Sequence, residues 1–376
     1  MEHLIHFANN IVSLFLAPGM MLALGIAVWG VAYTRSESLA CYARARRMVG
    51  ITFVIYSLAL LAEYFVKSSI AADFATRLVI VAISMSQAYL FTLTLVTLID
   101  VEFLSVRRLR AEAVLPLLAT VAAFTAGILC PVAWHISIIV AYQVAYALLL
   151  LHYIHLFRRH YAYYEQRMDN YFSDEEQHRL HWVRNSFRWS LGIGVAALVY
   201  SILPCEATSL PFMLAAVSYY TFYGIHFINY AHIFPYVASA LVEPVESTPQ
   251  EQTTVPTPEE QELLAAVDRL METTSLYTDA GLTVAQVAVA LGRPHRTLSA
   301  AISHGRQTTF KAYVNGYRVN KACQLIGEGW LAHHTIDALG AECGFSNRVH
   351  FYRIFKQAMG VSPSEYASDG NNTDKM

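Results

Sequence analysis

Residues 113–130 read AVLPLLATVAAFTAGILC and residues 133–157 read AWHISIIVAYQVAYALLLLHYIHLF, with only Pro131 and Val132 between them. Neither run contains Asp, Glu, Lys or Arg. A helix that crosses a bilayer needs about 20 mostly apolar residues, and each run is close to that length. A two-residue join leaves room for little but an antiparallel turn, so the pair reads as a tight hairpin of spanning helices.

Working outward, five further stretches meet the same standard: Ile11–Tyr33, Met48–Val66, Arg77–Ile99, Phe187–Leu203 and Leu210–Tyr230. The sixth of the seven, Phe187–Leu203, is the weakest, because it opens on Arg188 and Trp189 and holds two glycines. The connections give a test independent of hydropathy. Arg35, Arg44, Arg46 and Arg47 lie between the first and second stretches, Arg107, Arg108 and Arg110 between the third and fourth. Arg158, Arg159, Arg167, Arg179 and Arg184 lie between the fifth and sixth. The alternate connections hold Lys67 and no other base. Basic connections stay on the cytoplasmic side. The expectation is a multi-pass protein of the inner (cytoplasmic) membrane, N-terminus outside and C-terminus in the cytosol.

Composition agrees. Of 376 residues, 55% are hydrophobic and 14% charged, against about 25% charged in soluble domains. Met1 to Asn10 carries no basic cluster, so a signal peptide does not account for the apolar start. Tyr33, Tyr153, Trp182, Trp189, Tyr219 and Tyr220 sit near the ends of stretches, as interface anchors do.

Polar groups inside the apolar stretches are costly and need a neighbour or a cavity. Glu63, His135, Gln143 and His226 are the candidates for a ligand site; His152, His155 and Asn229 complete the set. Interhelical hydrogen bonding is the plainer use of such groups. His152 and His155 share a helical face, but no HExxH-like motif accompanies them, and no metal, cofactor or catalytic set is read. None of the five cysteines forms a CxxC pair. Cys130 and Cys205 fall on the same outer side, where a disulfide is conceivable.

The inner connection Arg158–Phe187 is rich in Tyr, His and Arg, and Ser173-Asp174-Glu175-Glu176 reads as a cap and acidic first turn. It has two readings, a dock for the C-terminal part or a solvated connection, and composition leans towards the second. Four prolines with Glu, Thr, Ser and Gln between Leu241 and Pro258 give a linker, assigned to 237–258, with no heptad pattern across it.

Beyond the linker the character changes. Between Gly281 and Gly360 nine Lys or Arg stand against three acids, a local charge of +6 in a chain whose net charge is -2. That balance suits a polyanion. Thr283 can cap a helix that Gly292 ends, and Pro294 suits the first turn of the next, which runs to about His304. The pattern returns: Thr335 to Cys343, a turn at Gly344, then a helix capped by Ser346 or Asn347 with Phe351 and Phe355 inward. A longer helix, Phe310 to about Glu328, joins the two, burying Val314, Tyr317, Ala322 and Leu325 and extending Arg318 and Lys321 outward. Two helix-turn-helix units would each place a second helix in a major groove, about 34 Å apart if they read one face of the duplex.

Residues 342–366, ECGFSNRVHFYRIFKQAMGVSPSEY, resemble the signature of AraC-family transcription regulators, with its GF, F, FK, G, SP and Y positions occupied. The resemblance extends over about Glu260 to Ala367. It implies that Arg296 and Ser299 in the first unit, and Arg348, His350 and Arg353 in the second, read bases. Two positions depart from the pattern: Ala300 stands where the family often has Arg, and Gln307 where a glycine is usual three residues before Phe310. Arg306, Lys321, Asn347 and Lys356 are expected on phosphates, which set affinity and salt dependence rather than sequence preference.

The expected architecture is therefore all-α. A seven-helix transmembrane bundle (1–236) and a linker precede an AraC-type DNA-binding domain (259–368) and a disordered tail (369–376). The expected function is membrane-embedded, sequence-specific transcription regulation coupled to a signal. The expected partners are double-stranded DNA, the lipid bilayer, a second copy on DNA and a signal ligand, with no separate kinase and no enzymatic activity. Two other classes stay open: a membrane transporter or enzyme-like domain with a regulatory DNA-binding tail, and a non-sensing tether for DNA. Broken, repeated helices would mark a transporter; unchanged promoter output under every stimulus would mark a tether.

Overall fold

The computed structural model of the chain describes all residues except 1, 31–39, 70–72, 101, 102, 104, 175–180, 205, 242–256 and 374–376. Every named element among the described residues is a helix; beside them stands one isolated antiparallel bridge, Phe172 to Thr283. The chain divides into two compact units, Met1–Tyr164 with Arg179–Pro244, and Glu165–His178 with Val245–Met376.

The first unit contains α1 (Glu2–Ile11), a π-turn at Val12–Leu16, α2 (Ala17–Gly30), α3 (Ala40–Ser69), α4 (Asp73–Ile99) and α5 (Val106–Leu129). It continues with α6 (His135–Tyr171), whose last turns from Glu165 belong to the second unit, α7 (His181–Ile202) and α8 (Glu206–Leu241). Five segments are long and apolar enough to cross a membrane: His6–Gly30, Ala45–Phe65, Phe74–Ile99, Arg107–Leu129 and Val132–Tyr171. The helices α7 and α8 stand where the sixth and seventh stretches fall. Cys130 to Trp134 make the expected short turn between α5 and α6, closed by a single 3-10 turn at Val132–Trp134.

Burial explains why these helices need an apolar medium. Only 11% of the α5 span is buried, yet its outward side carries Leu115, Leu117, Leu118, Val121, Ile128 and Leu129, each more than half exposed. On α6, Ile136, Val144, Leu148 and Leu151 are exposed to the same degree. Apolar surface on that scale is unstable in water and stable against acyl chains. Inside, α4 packs on α3, α5 and α7. Buried hydroxyls bond back to their own helix at two of its positions, Ser84 Oγ to the Ile80 carbonyl at 2.7 Å and Thr97 Oγ to that of Leu93 at 2.6 Å. No hydroxyl then needs water at those positions. An aromatic cluster of Phe53, Tyr56, Phe91, Tyr220 and Tyr223 fills the space among α3, α4 and α8, with ring centroids 4.4 to 6.4 Å apart.

The second unit carries α9 (Pro258–Thr274), α10 (Val284–Ala290), α11 (His295–Gly305), α12 (Phe310–Gly327), α13 (Ile336–Glu342), α14 (Arg348–Met359) and α15 (Pro363–Thr373). Side-chain caps set several starts. Thr257 and Glu260 form a reciprocal capping box on α9, Thr283 and Gln286 another on α10, and Thr309, Thr335 and Asn347 cap α12, α13 and α14. The capping bonds hold the Glu260 carboxyl below its usual range, chiefly through the Thr257 backbone N–H. Most of the linker read at 237–258 lies outside the described residues; α8 runs on to Leu241. At the other end α15 continues to Thr373, into the stretch expected to be a disordered tail, because Ser362 and Glu365 cap its start reciprocally.

Candidate nucleic-acid interface

Two small cores hold the second unit together, and α12 belongs to both. Leu263, Leu264, Val267 and Met271 of α9 pack with Val287, Leu298, Ile302, Phe310 and Val314 in the first. Val319 and Ala322, one turn further along α12, pack with Leu339, Cys343, Phe345, Phe351 and Phe355 in the second. Burial pushes the Cys343 thiol up to about 12, so it behaves as a small apolar side chain.

Arg318 lies where the two cores meet. It was expected to reach outward from α12, but it is fully buried. Its Nε donates to the Tyr277 carbonyl at 2.7 Å and one terminal nitrogen to that of Asp279 at 2.9 Å. It also donates to Ser173 through the carbonyl and Oγ, both at 3.0 Å, and to Asn315 Oδ1 at 3.3 Å. Burial lowers its pKa to about 10, opposed by the charges of Asp174 and Asp279. A helical wheel places Arg318 beside Val314 and Ala322, on the buried side. Its charge argues for solvent, and only loops distant in sequence make the buried side habitable.

The helices α11 and α14 each present an exposed face. On α11 it holds Arg296, Thr297, Ala300 and Ser303; on α14 it holds Arg348, Val349, Arg353 and Lys356. Three of the five residues expected to read bases, Arg296, Arg348 and Arg353, are therefore open to solvent. Arg348 reaches Asp337 at 3.2 Å, an exposed pair that a phosphate or base edge can replace at small cost.

The other two point elsewhere. Ser299 is half-buried with Oγ 3.5 Å from the Asn170 carbonyl. The His350 side chain is fully buried, its Nδ1 2.8 Å from Asp174 Oδ1. Its position three residues into α14 turns it away from the exposed face, towards Phe345 and Asp174.

The expected phosphate contacts divide likewise. Lys356 is exposed. Asn347 is half-buried and spends its Oδ1 on the His350 N–H as the α14 cap, 2.8 Å away. Lys321 lies 3.5 Å from a Glu342 carboxylate oxygen. Arg306 pairs with Asp268, which also accepts from Tyr313 and Tyr317. Burial first, then Asp268 among its neighbours, raises Tyr313 well above the ordinary phenol range; burial carries Tyr317 to about 12. Asp268 thus works as a stability anchor for α9 on α12.

One exposed residue escaped the sequence reading, and one departure noted there shows its backbone. Val349, 77% exposed on the α14 face, is suited to a thymine methyl; an apolar residue between two polar ones was the available signal. Gln307, standing where a glycine is usual, adopts a left-handed φ of 50°, so the local turn keeps the shape a glycine would give it.

Residues 287–369 match a family model described as a helix-turn-helix domain. The chain carries a C-terminal helix-turn-helix domain. The match runs from within α10 into α15 and leaves out α9 and the segment 165–174. No curated protein and no solved structure matches the chain.

In the first unit the four ligand-site candidates are not brought together. Glu63 is buried on α3. His135 stacks on Phe74 with centroids 3.8 Å apart, and Gln143 donates to Ser201 Oγ at 3.0 Å. His226 bonds the Phe222 carbonyl at 3.1 Å and lies against Trp182. A cavity of about 150 Å³ between α3 and α4 is lined by Thr52, Tyr56, Ser86 and Gln87 among others, and by none of the four. His152 pairs with Glu112 at 2.9 Å, and among the described residues no group of three His, Cys, Asp or Glu is placed to hold a metal. Asp100 and His160, 2.8 Å apart and largely buried, form a pair the sequence reading did not pick out. Cys130 is exposed, while Cys205 lies outside the described residues.

Proposed function

We propose that the chain is a membrane-embedded, sequence-specific transcription regulator, acting by binding rather than by catalysis. The observation that carries the reading is the set of exposed cations on α11 and α14. Arg296, Arg348, Arg353 and Lys356 line the second helices of two helix–turn–helix units, in the same chain as five apolar helices long enough to span a bilayer. Arginine on a major-groove helix reads guanine through O6 and N7, and lysine holds phosphate. Both units read duplex DNA in this proposal, α11 in one groove segment and α14 in the next, and two copies of the chain occupy repeated half-sites. The membrane unit crosses seven times, α7 and α8 completing the five, with the C-terminal unit in the cytosol. A signal met at the membrane shifts promoter occupancy.

The direct test is selection of bound duplexes by the full chain in lipid nanodiscs, followed by affinity measurements across salt concentrations. Arg353→Ala is expected to weaken the selected duplex by about 1–3 kcal/mol and to relax preference at one base pair. Lys356→Ala is expected to weaken all duplexes alike and to lower the salt slope by about 1. Equal binding to every sequence at all salt concentrations would remove the sequence-specific reading.

Orientation has its own test. With the other four cysteines replaced, Cys130 is expected to react with a membrane-impermeant maleimide added outside intact cells. Protection in cells combined with reaction in inverted vesicles would reverse the proposed topology.

A further inference from the structure

Phe172–Asp174, which follow α6, do not behave as a solvated connection. Phe172 is 2% exposed, Ser173 fully buried and Asp174 7% exposed. All three belong to the second unit, although in sequence they lie between two helices of the first. Main chain meets main chain ahead of α10: the Ser173 N–H donates to the Leu282 carbonyl at 3.0 Å, and Phe172 bridges Thr283 in antiparallel fashion. This is a single rung of strand addition, in which backbone bonds give affinity and flanking side chains give selectivity.

The flanking side chains are matched in polar partners. Asp174 meets His350 on α14 at 2.8 Å, Asp169 meets Lys311 on α12 at 3.3 Å, and Ser173 takes two bonds from the buried Arg318. Leu282 belongs to the core of the first helix-turn-helix, while His350 lies on the recognition helix of the second. One short peptide thus touches both halves and the helix between them. It leaves Arg296, Arg348, Arg353 and Lys356 exposed. A blocking peptide would cover those cations; a bracing peptide would do what this one does.

We propose that Asp169–Asp174 is a docking peptide for the DNA-binding unit, bracing its two helix-turn-helix halves at the spacing a duplex requires, so that undocking weakens DNA binding. The proposal rests on the DNA-reading function argued above. Because the peptide is joined directly to α6 and, through residues 175–180, to α7, a rearrangement of either helix reaches the reader without crossing the long linker. The signal then travels through the direct continuation of α6 into this peptide.

The test uses the full chain in nanodiscs with two readouts, hydrogen exchange at Phe172–Asp174 and affinity for a selected duplex. Asp174→Asn keeps the shape and removes the charge. It is expected to speed exchange at the Ser173 amide at least tenfold and to weaken the duplex at least tenfold. Unchanged exchange, or faster exchange with unchanged or tighter duplex binding, overturns the proposal.

Should Asp174→Asn fail to fold, the double variant Asn170→Cys, Ser299→Cys is the second arm. Its oxidised, locked form is expected to bind the duplex at least as tightly as its reduced form, and weaker binding when locked overturns the proposal. If the unmodified chain binds no duplex, the transcription reading fails separately. Exchange then decides the docking alone: slow exchange at the Ser173 amide sustains it, and exchange at the rate of a free peptide overturns it.

Discussion

Arg318→Ala is expected to destabilise the C-terminal unit by roughly 3–5 kcal/mol, the range found when one partner of a buried charge network is removed. The side chain is fully buried and its guanidinium serves three carbonyls, a hydroxyl and an amide oxygen at once. Deleting it strands the Tyr277 and Ser173 carbonyls in a space opened by the lost side chain, each at a cost of about 1–3 kcal/mol before water enters, while the Asp279 carbonyl keeps the Leu282 N–H. It also removes a positive charge beside Asp174.

Lysine is not a substitute. A single ammonium cannot reach Tyr277 on one side and Ser173 on the other, because it lacks the planar fork. Arg318→Lys should therefore recover less than half of the loss. Native-state hydrogen exchange along α12 and α14 measures this, since the most protected amides report global opening of the unit. A change of 3–5 kcal/mol speeds those amides by about two to three and a half orders of magnitude. A change below threefold would show that Arg318 contributes nothing net.

The second large effect belongs to Gly344, the turn between α13 and α14. Its φ is +91°, and an added Cβ would lie 2.7 Å from the carbonyl oxygens of both Tyr277 and Thr278. These are backbone atoms, and the Tyr277 carbonyl is also held by Arg318, so neither can move cheaply. Gly344→Ala is expected to cost about 3 kcal/mol or more, combining the left-handed penalty of about 1–2 kcal/mol with steric displacement.

Gly292 provides the control. It has a φ of +63° with nothing within 4 Å of an added Cβ, so Gly292→Ala should cost only the backbone term, about 1–2 kcal/mol. Equal losses at the two glycines, read by the same exchange measurement, would discard the steric part of the account.

These positions show which parts of the molecule were legible beforehand. The α5–α6 hairpin followed from length and apolarity, because a bilayer rewards one local property summed over about 20 residues. The helix–turn–helix boundaries followed from Thr283, Pro294, Gly344 and Asn347, whose effect is exerted within four residues of chain. Arg296, Arg348 and Arg353 fell on exposed faces, as periodicity along a single helix allows one to work out.

The sequence left open how deeply particular side chains are buried, because that depends on distant partners. His350 looked like a base reader until Asp174, 176 residues away, enclosed it. Arg318 looked like a surface cation until Ser173 and Asp279 supplied acceptors. Glu63, His135, Gln143 and His226 shared a chemical description but not a location. The inner connection allowed both a dock and a solvated stretch, and Phe172 alone was too weak a signal to decide for burial.

Hydropathy, capping and helical period are short-range properties, written where they act, and they sufficed for the all-helical character and for the change from membrane helices to a basic helix-turn-helix domain. Where a buried charge finds its counter-charge depends on loops closing over more than a hundred residues. That closure is a cooperative property of the packed chain. It placed Asp169–Asp174 against α10, α12 and α14 of the C-terminal unit.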